Sequence, residues 1–90
     1  MPVVWIPALL RELTGGQEQV TVPGETVRQV IESLDERYPG IWARLSDEEG
    51  QLRPGITVAV DGQVSRLRMR HPLADNSEVH FLPAIGGGQR

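Results

Sequence analysis

Ninety residues with 39% hydrophobic content suit one small globular domain. A formal net charge of −3 argues against a nucleic-acid binder, which carries a basic patch. Cysteine is absent, which excludes a disulfide framework, a thiolate metal site and a cysteine nucleophile, and all nine basic residues are arginine, which excludes a Schiff-base lysine.

Val3, Val4, Trp5 and Ile6 form a short apolar run between Pro2 and Pro7, the pattern of a buried strand. No basic region precedes it and no apolar run reaches the roughly 18 residues of a membrane span, so a cytoplasmic location is expected. Ala8 to Leu13 suits a helical turn that Gly15-Gly16 stops. Gln17 to Val22 predicts a second strand with Val20 and Val22 on one face, and Pro23-Gly24 marks a turn. The clearest element follows. Thr26-Val-Arg-Gln29 has the form of a capping box, in which the Thr hydroxyl and the Gln amide each satisfy an orphan N–H. Val27, Val30, Ile31, Leu34 and Tyr38 then recur at helical spacing, with Arg28, Glu32, Asp35 and Glu36 on the other face. Pro39-Gly40 ends that helix.

Ile41, Trp42 and Leu45 are expected as core anchors on a short turn before the acidic loop Asp47-Glu48-Glu49-Gly50. That loop lacks the alternating spacing of a divalent-ion site and reads as a solvated turn. Ile56 to Val60 alternates as a strand, Asp61-Gly62 is a type I′ hairpin signal, and Gln63 to Leu67 returns. Arg66, Arg68 and Arg70 alternate with Leu67 and Met69. This predicts a strand with an arginine face, and its functional version is an electrostatic docking stripe. Glu78 to Leu82 makes the last strand, with His80 toward solvent between Val79 and Phe81. His71 and His80 have no partner at ligand spacing, so no metal site is expected. Gly15-Gly16-Gln17 is too short for a phosphate loop.

The order is β-β-α-β-β-β with one long helix. This predicts an α+β fold of the β-grasp (ubiquitin-like) class, a mixed sheet of four to five strands on one main helix. The core is expected to include Val4, Ile6, Val27, Val30, Ile31, Leu34, Val58, Val60, Val79 and Phe81. The β-grasp domain is expected over residues 1–85, with a glycine-rich tail at 86–90. Beyond Pro83, which lacks an N–H and has a fixed φ, the tail Gly86-Gly87-Gly88 is nearly bare of side chains. Two readings stand for it: a frayed chain end, or a thread whose backbone enters a channel too narrow for a Cβ.

Phe81-Leu-Pro-Ala-Ile-Gly-Gly-Gly88, closing such a fold, resembles the end of the MoaD/ThiS group of ubiquitin-like sulfur carriers. Ile6-Pro-Ala-Leu-Leu-Arg11 and Thr14-Gly-Gly-Gln17 resemble the first strand and turn of the branch that serves cysteine biosynthesis in actinobacteria. His71-Pro-Leu-Ala-Asp-Asn-Ser-Glu-Val79 is similar to the group's lead into its last strand. Asn76-Ser77 replaces the usual Gly-Asp there, and Asn tolerates the same left-handed geometry.

The resemblance implies a carrier and not an enzyme. An E1-like adenylyltransferase/sulfurtransferase uses ATP and Mg to adenylate the terminal carboxylate, and sulfur transfer makes a thiocarboxylate. By this resemblance Gly88 carries the sulfur, Gly86 and Gly87 thread into partners, and Gln89 and Arg90 are first removed by a JAMM-type metalloprotease. The recipient would be a cysteine synthase-like enzyme or the large subunit of molybdopterin synthase. Thiamine synthesis, tRNA thiolation, ubiquitin-like protein modification and a non-catalytic β-grasp binding module stay open as alternatives.

Overall fold

The structure, a computed structural model, describes residues 1–83. Its elements are β1 (Val3–Trp5), a 3-10 turn (Ala8–Leu10), β2 (Gln19–Thr21), α1 (Val27–Arg37), α2 (Ile41–Leu45), β3 (Ile56–Val60), β4 (Gln63–Val64), a second 3-10 turn (Arg68–Arg70) and β5 (Glu78–Pro83). The five strands form one mixed sheet in the order β2-β1-β5-β3-β4. β1 and β5 are parallel, and the other pairs are antiparallel. The expected β-grasp architecture is therefore present: one sheet holding one main helix.

α1 begins where the sequence signals it. Thr26 Oγ1 accepts the Gln29 N–H at 3.2 Å, satisfying one of the orphan donors of the first turn. The reciprocal arm is displaced by one residue from the expected capping box, because Gln29 Oε1 accepts from the Glu25 N–H at 2.8 Å. The helix lies tight against the preceding turn. A Cβ on Gly24 would stand 2.8 Å from the Val30 backbone nitrogen, so this approach requires glycine. Val27, Val30, Ile31 and Leu34 are fully buried against the sheet. All ten residues expected in the core lie in one buried cluster, joined by Leu10, Val20, Val22, Ile41, Leu45, Leu52 and Met69.

Several local expectations are corrected. Ile41 to Leu45 is a short helix and not an irregular turn, because Asp35 Oδ1 accepts N–H groups from Gly40 (3.1 Å) and Trp42 (2.9 Å) and so caps it. β1 is buried on one face only: Val4 and Ile6 point inward, while Val3 and Trp5 are half-buried on the other face. The hairpin turns as predicted, with positive φ at both Asp61 and Gly62, but its return strand stops at Val64. The arginine-faced strand does not form. Ser65 Oγ accepts the N–H groups of Leu67 (3.1 Å) and Arg68 (3.0 Å), which turns the chain out of the sheet and into the second 3-10 turn. Asn76 is not left-handed either, since the non-glycine residues with positive φ among those described are Asp61 and Arg68. The turn before β5 is fastened by side chains instead: Ser77 Oγ accepts the Ala74 N–H and donates to Asp61 Oδ2, and Asp61 Oδ1 accepts the Glu78 N–H.

Candidate functional site

β5 is the central strand and the last described element, so the fold converges on the point where the tail departs. Its first half is held on both sides: Glu78, Val79 and His80 pair with Val3, Val4 and Trp5, while Val79 and His80 also pair with Val60 and Ala59. Its second half is held on one side. Phe81, Leu82 and Pro83 pair with Val58, Thr57 and Ile56 of β3, whereas β1 pairing ends at Trp5. Pro7 and the Ala8–Leu10 turn diverge there, which leaves a groove of about 200 Å³ beside the end of β5.

The groove is built from apolar side chains of four elements. Pro7, Leu9 and Leu10 line it together with Leu45, Ile56, Phe81, Leu82 and Pro83. Leu9 is 81% exposed and Leu82 41% exposed. Consecutive leucines on one short turn force this outcome: Leu10 turns into the core at 5% exposure, and Leu9 faces out. Arg44 from α2 stands at the rim, its Nη2 3.4 Å from the Leu9 carbonyl oxygen. Sequence reasoning missed Leu9 and Arg44 as surface features. The Leu9-Leu10 doublet was the available signal, because a three-residue turn cannot bury both.

Gly86, Gly87, Gly88, Gln89 and Arg90, the residues expected to carry sulfur, thread into partners or be removed, lie outside the described residues. So does the expected domain boundary after residue 85. Of the proposed docking arginines, Arg66 and Arg70 are exposed, but Arg68 folds back to place Nη2 3.4 Å from the carbonyl oxygens of Leu52 and Arg53. The three therefore do not form one continuous face. His80 is half-buried on the outer face of the sheet, stacked on Trp5 with ring centroids 5.3 Å apart.

A second concavity beside the hairpin contains Ser65 and His71, whose Oγ and Nδ1 are 2.6 Å apart. This pair is not arranged as a nucleophile and base. Ser65 is 7% exposed, and its oxygen already accepts two backbone N–H groups, so its lone pairs are engaged and it is closed to a substrate. The pair pins the 65–71 loop, and the His71 carbonyl in turn accepts the Val27 N–H at the start of α1. Among the described residues no three His, Cys, Asp or Glu side chains converge as metal ligands. No helix among them is long and apolar enough to cross a membrane.

The ThiS family model matches residues 4–88, nearly the whole chain and all of its core. The chain belongs to the ThiS family. It is 37% identical over 89 residues to sulfur carrier protein CysO of Mycobacterium tuberculosis (strain ATCC 25618 / H37Rv), a match spanning 94% of this chain and 96% of that protein. Its fold superposes on the crystal structure of the Amycolatopsis orientalis BexX/CysO complex with a TM-score of 0.87 and 36% identity, covering 98% of this chain and 100% of that one. The small archaeal modifier protein 1 of Methanosarcina acetivorans is similar at a TM-score of 0.76 and 28% identity, covering 97% and 95% of the two chains. The expected membership of the MoaD/ThiS group and the expected β-grasp fold are both met.

Proposed function

We propose that the chain is a sulfur carrier for cysteine biosynthesis that works through a thiocarboxylate on Gly88. The observation that carries this reading is the 37% identity to a sulfur carrier across 94% of the chain. A further support is the family match itself, which runs to residue 88 and leaves Gln89 and Arg90 beyond it.

A carboxylate is a poor acyl donor because its leaving group would be an oxide. Attack of the Gly88 carboxylate oxygen on the α-phosphorus of ATP, with Mg held by the activating enzyme, forms an acyl-adenylate and releases pyrophosphate. Attack of hydrosulfide on that carbonyl carbon expels AMP and leaves the C-terminal thiocarboxylate. The thiocarboxylate sulfur then attacks an electrophilic carbon held by the sulfur-accepting enzyme, of the cysteine synthase type, and water cleaves the acyl C–S bond of the resulting thioester, leaving the sulfur on the acceptor and a carboxylate on Gly88. No acid or base of the carrier is needed, so the chain acts as a co-substrate and not a catalyst.

The carrier's contribution is mechanical. Four residues lie between Pro83 and Gly88, so the two are at most about 18 Å apart when the chain is extended. A terminus on that tether reaches a buried site while the domain stays outside, and glycine at 86, 87 and 88 admits a channel without room for a Cβ. Removal of Gln89 and Arg90 by a JAMM-type metalloprotease exposes the reacting carboxyl. E1-like activation takes place in the cytoplasm, where ATP is available. Gly88→Val tests the assignment: sulfur acquisition is lost while the domain melts at the wild-type temperature. A Gly88→Val chain that gains sulfur as wild type does would move the site elsewhere.

A further inference from the structure

All nine basic residues are arginine, and the chemistry derived above gives that choice no role. We propose that Arg11, Arg44 and Arg53 determine chemoselectivity: where the tail departs they supply positive charge without an amine, so the activated Gly88 acyl group is kept for sulfur. The inference rests on the carrier reading and adds to it what stops the activated terminus from acylating its own domain.

Elementary chemistry sets the competing reaction. An acyl-adenylate yields to any good nucleophile, and an unprotonated lysine amine is one. Its nitrogen would attack the Gly88 carbonyl carbon, and the bond from that carbon to the phosphate oxygen would break. AMP would leave with the bonding pair, and the surplus ammonium proton would pass to water. The product is an amide, which ends the carrier's cycle. At about pH 7.4 roughly one lysine in a thousand is unprotonated, and the unprotonated form of arginine is scarcer by at least about a hundredfold. The guanidinium is also delocalised over its three nitrogens, which makes each a poor nucleophile.

Placement makes the competition intramolecular. A tether as short as the one from Pro83 to Gly88 holds its end near the domain at an effective concentration on the order of millimolar. Arg11, Arg44 and Arg53 stand at that end of the fold. Arg44 lines the groove together with Pro83. The Arg53 carbonyl accepts the Ile56 N–H at 2.9 Å, and Ile56 is the register partner of Pro83. Arg11 donates from Nε to the Ile6 carbonyl at 3.1 Å, beside Pro7 of the groove. The fold does not demand a guanidinium at every one of these places. Arg53 uses its fork, with Nε and Nη2 donating to the Ala43 carbonyl at 3.0 and 2.9 Å. Arg44 makes a single 3.4 Å contact with the Leu9 carbonyl, which an ammonium could also make, so packing leaves arginine there unexplained. Arg70 is the contrast. It precedes His71, whose carbonyl accepts the Val27 N–H at the start of α1. That helix follows β2, whose Thr21 pairs with Val3, the partner of the first residue of β5, so Arg70 belongs to the opposite end of the sheet.

The test uses untagged full chains produced in the source organism: wild type, Arg44→Lys, Arg44→Gln, Arg53→Lys and Arg70→Lys. Intact mass separates the thiocarboxylate from an internal amide, which is lighter by one water than the chain ending in the Gly88 carboxylate. Peptide mass spectrometry then locates the crosslink. Thermal melting is measured on the same samples, and because Arg44, Arg53 and Arg70 are exposed every chain is expected to stay folded. The expected result is a crosslink from Gly88 to position 44 in Arg44→Lys and to position 53 in Arg53→Lys, with a matching loss of thiocarboxylate. Arg44→Gln and Arg70→Lys keep the wild-type level. Wild-type thiocarboxylate and no crosslink in Arg44→Lys and Arg53→Lys overturn the assignment and leave the carrier reading standing. A loss in Arg44→Gln equal to that in Arg44→Lys also overturns it, because the missing guanidinium and not the added amine is then the cause. An equally abundant crosslink at position 70 removes the special standing of the three arginines. A wild-type chain without thiocarboxylate overturns both readings.

Discussion

Asp47 shows how one half-buried carboxylate shapes a loop that sequence alone reads as merely acidic. Its Oδ1 accepts the N–H groups of Gln51 (3.0 Å) and Glu49 (2.9 Å), folding the 47–51 turn around itself. The Gln51 N–H is the main cause that holds its carboxyl below the ordinary value of 3.8; the Glu49 N–H and the nearby Arg53 guanidinium act in the same direction, against a smaller loss of hydration. Hydrogen bonds to the charged form favour that form. The sign follows: with the folded value depressed, the contribution to stability is present above 3.8 and is lost as pH falls through the folded value. Asp47→Asn is therefore expected to lose less stability than wild type between about pH 6 and about pH 3, measured by denaturant titration at each pH. Parallel losses in the two proteins would remove Asp47 from the account.

At the scale of elements, α1 anchors the domain because one face of it is buried without a gap. Ile31 is fully buried, and truncating such a side chain removes both its transfer energy and its packing contacts. Ile31→Ala is expected to cost about 2–5 kcal/mol in a denaturant titration, and a change within measurement error would mean that the helix face is wrongly assigned. The same elements show what was legible in the sequence. The cap at Thr26, the apolar stripe behind it and the Asp61-Gly62 hairpin are local signals in which neighbouring residues satisfy one another, and each appears where expected. The arginine-faced strand failed because alternation over five residues carries no information about Ser65, whose oxygen gathers two N–H groups and bends the chain. α2 was underread for a related reason. Its cap is Asp35, which lies on the preceding helix and is not adjacent to Ile41 in sequence.

For the whole molecule, topology places the end of β5. Pairing the first and last strands in parallel puts β5 at the centre of the sheet, so its start is held on both sides and its end on one. The asymmetry arises from β1 stopping at Trp5 before Pro7, a distance of 76 residues from Pro83 in sequence that only the folded sheet closes. This is why the groove beside the end of β5 was not legible in the sequence: Leu9, Arg44 and Leu82 meet only in the fold. The carrier account makes its most exposed claim about the chain's terminus. Intact mass of the protein purified from its source organism tests that directly. The account predicts a species ending at Gly88 in which sulfur has replaced one carboxylate oxygen; finding only chains that end at Arg90 with an ordinary carboxylate, under conditions where cysteine is being made, would contradict it.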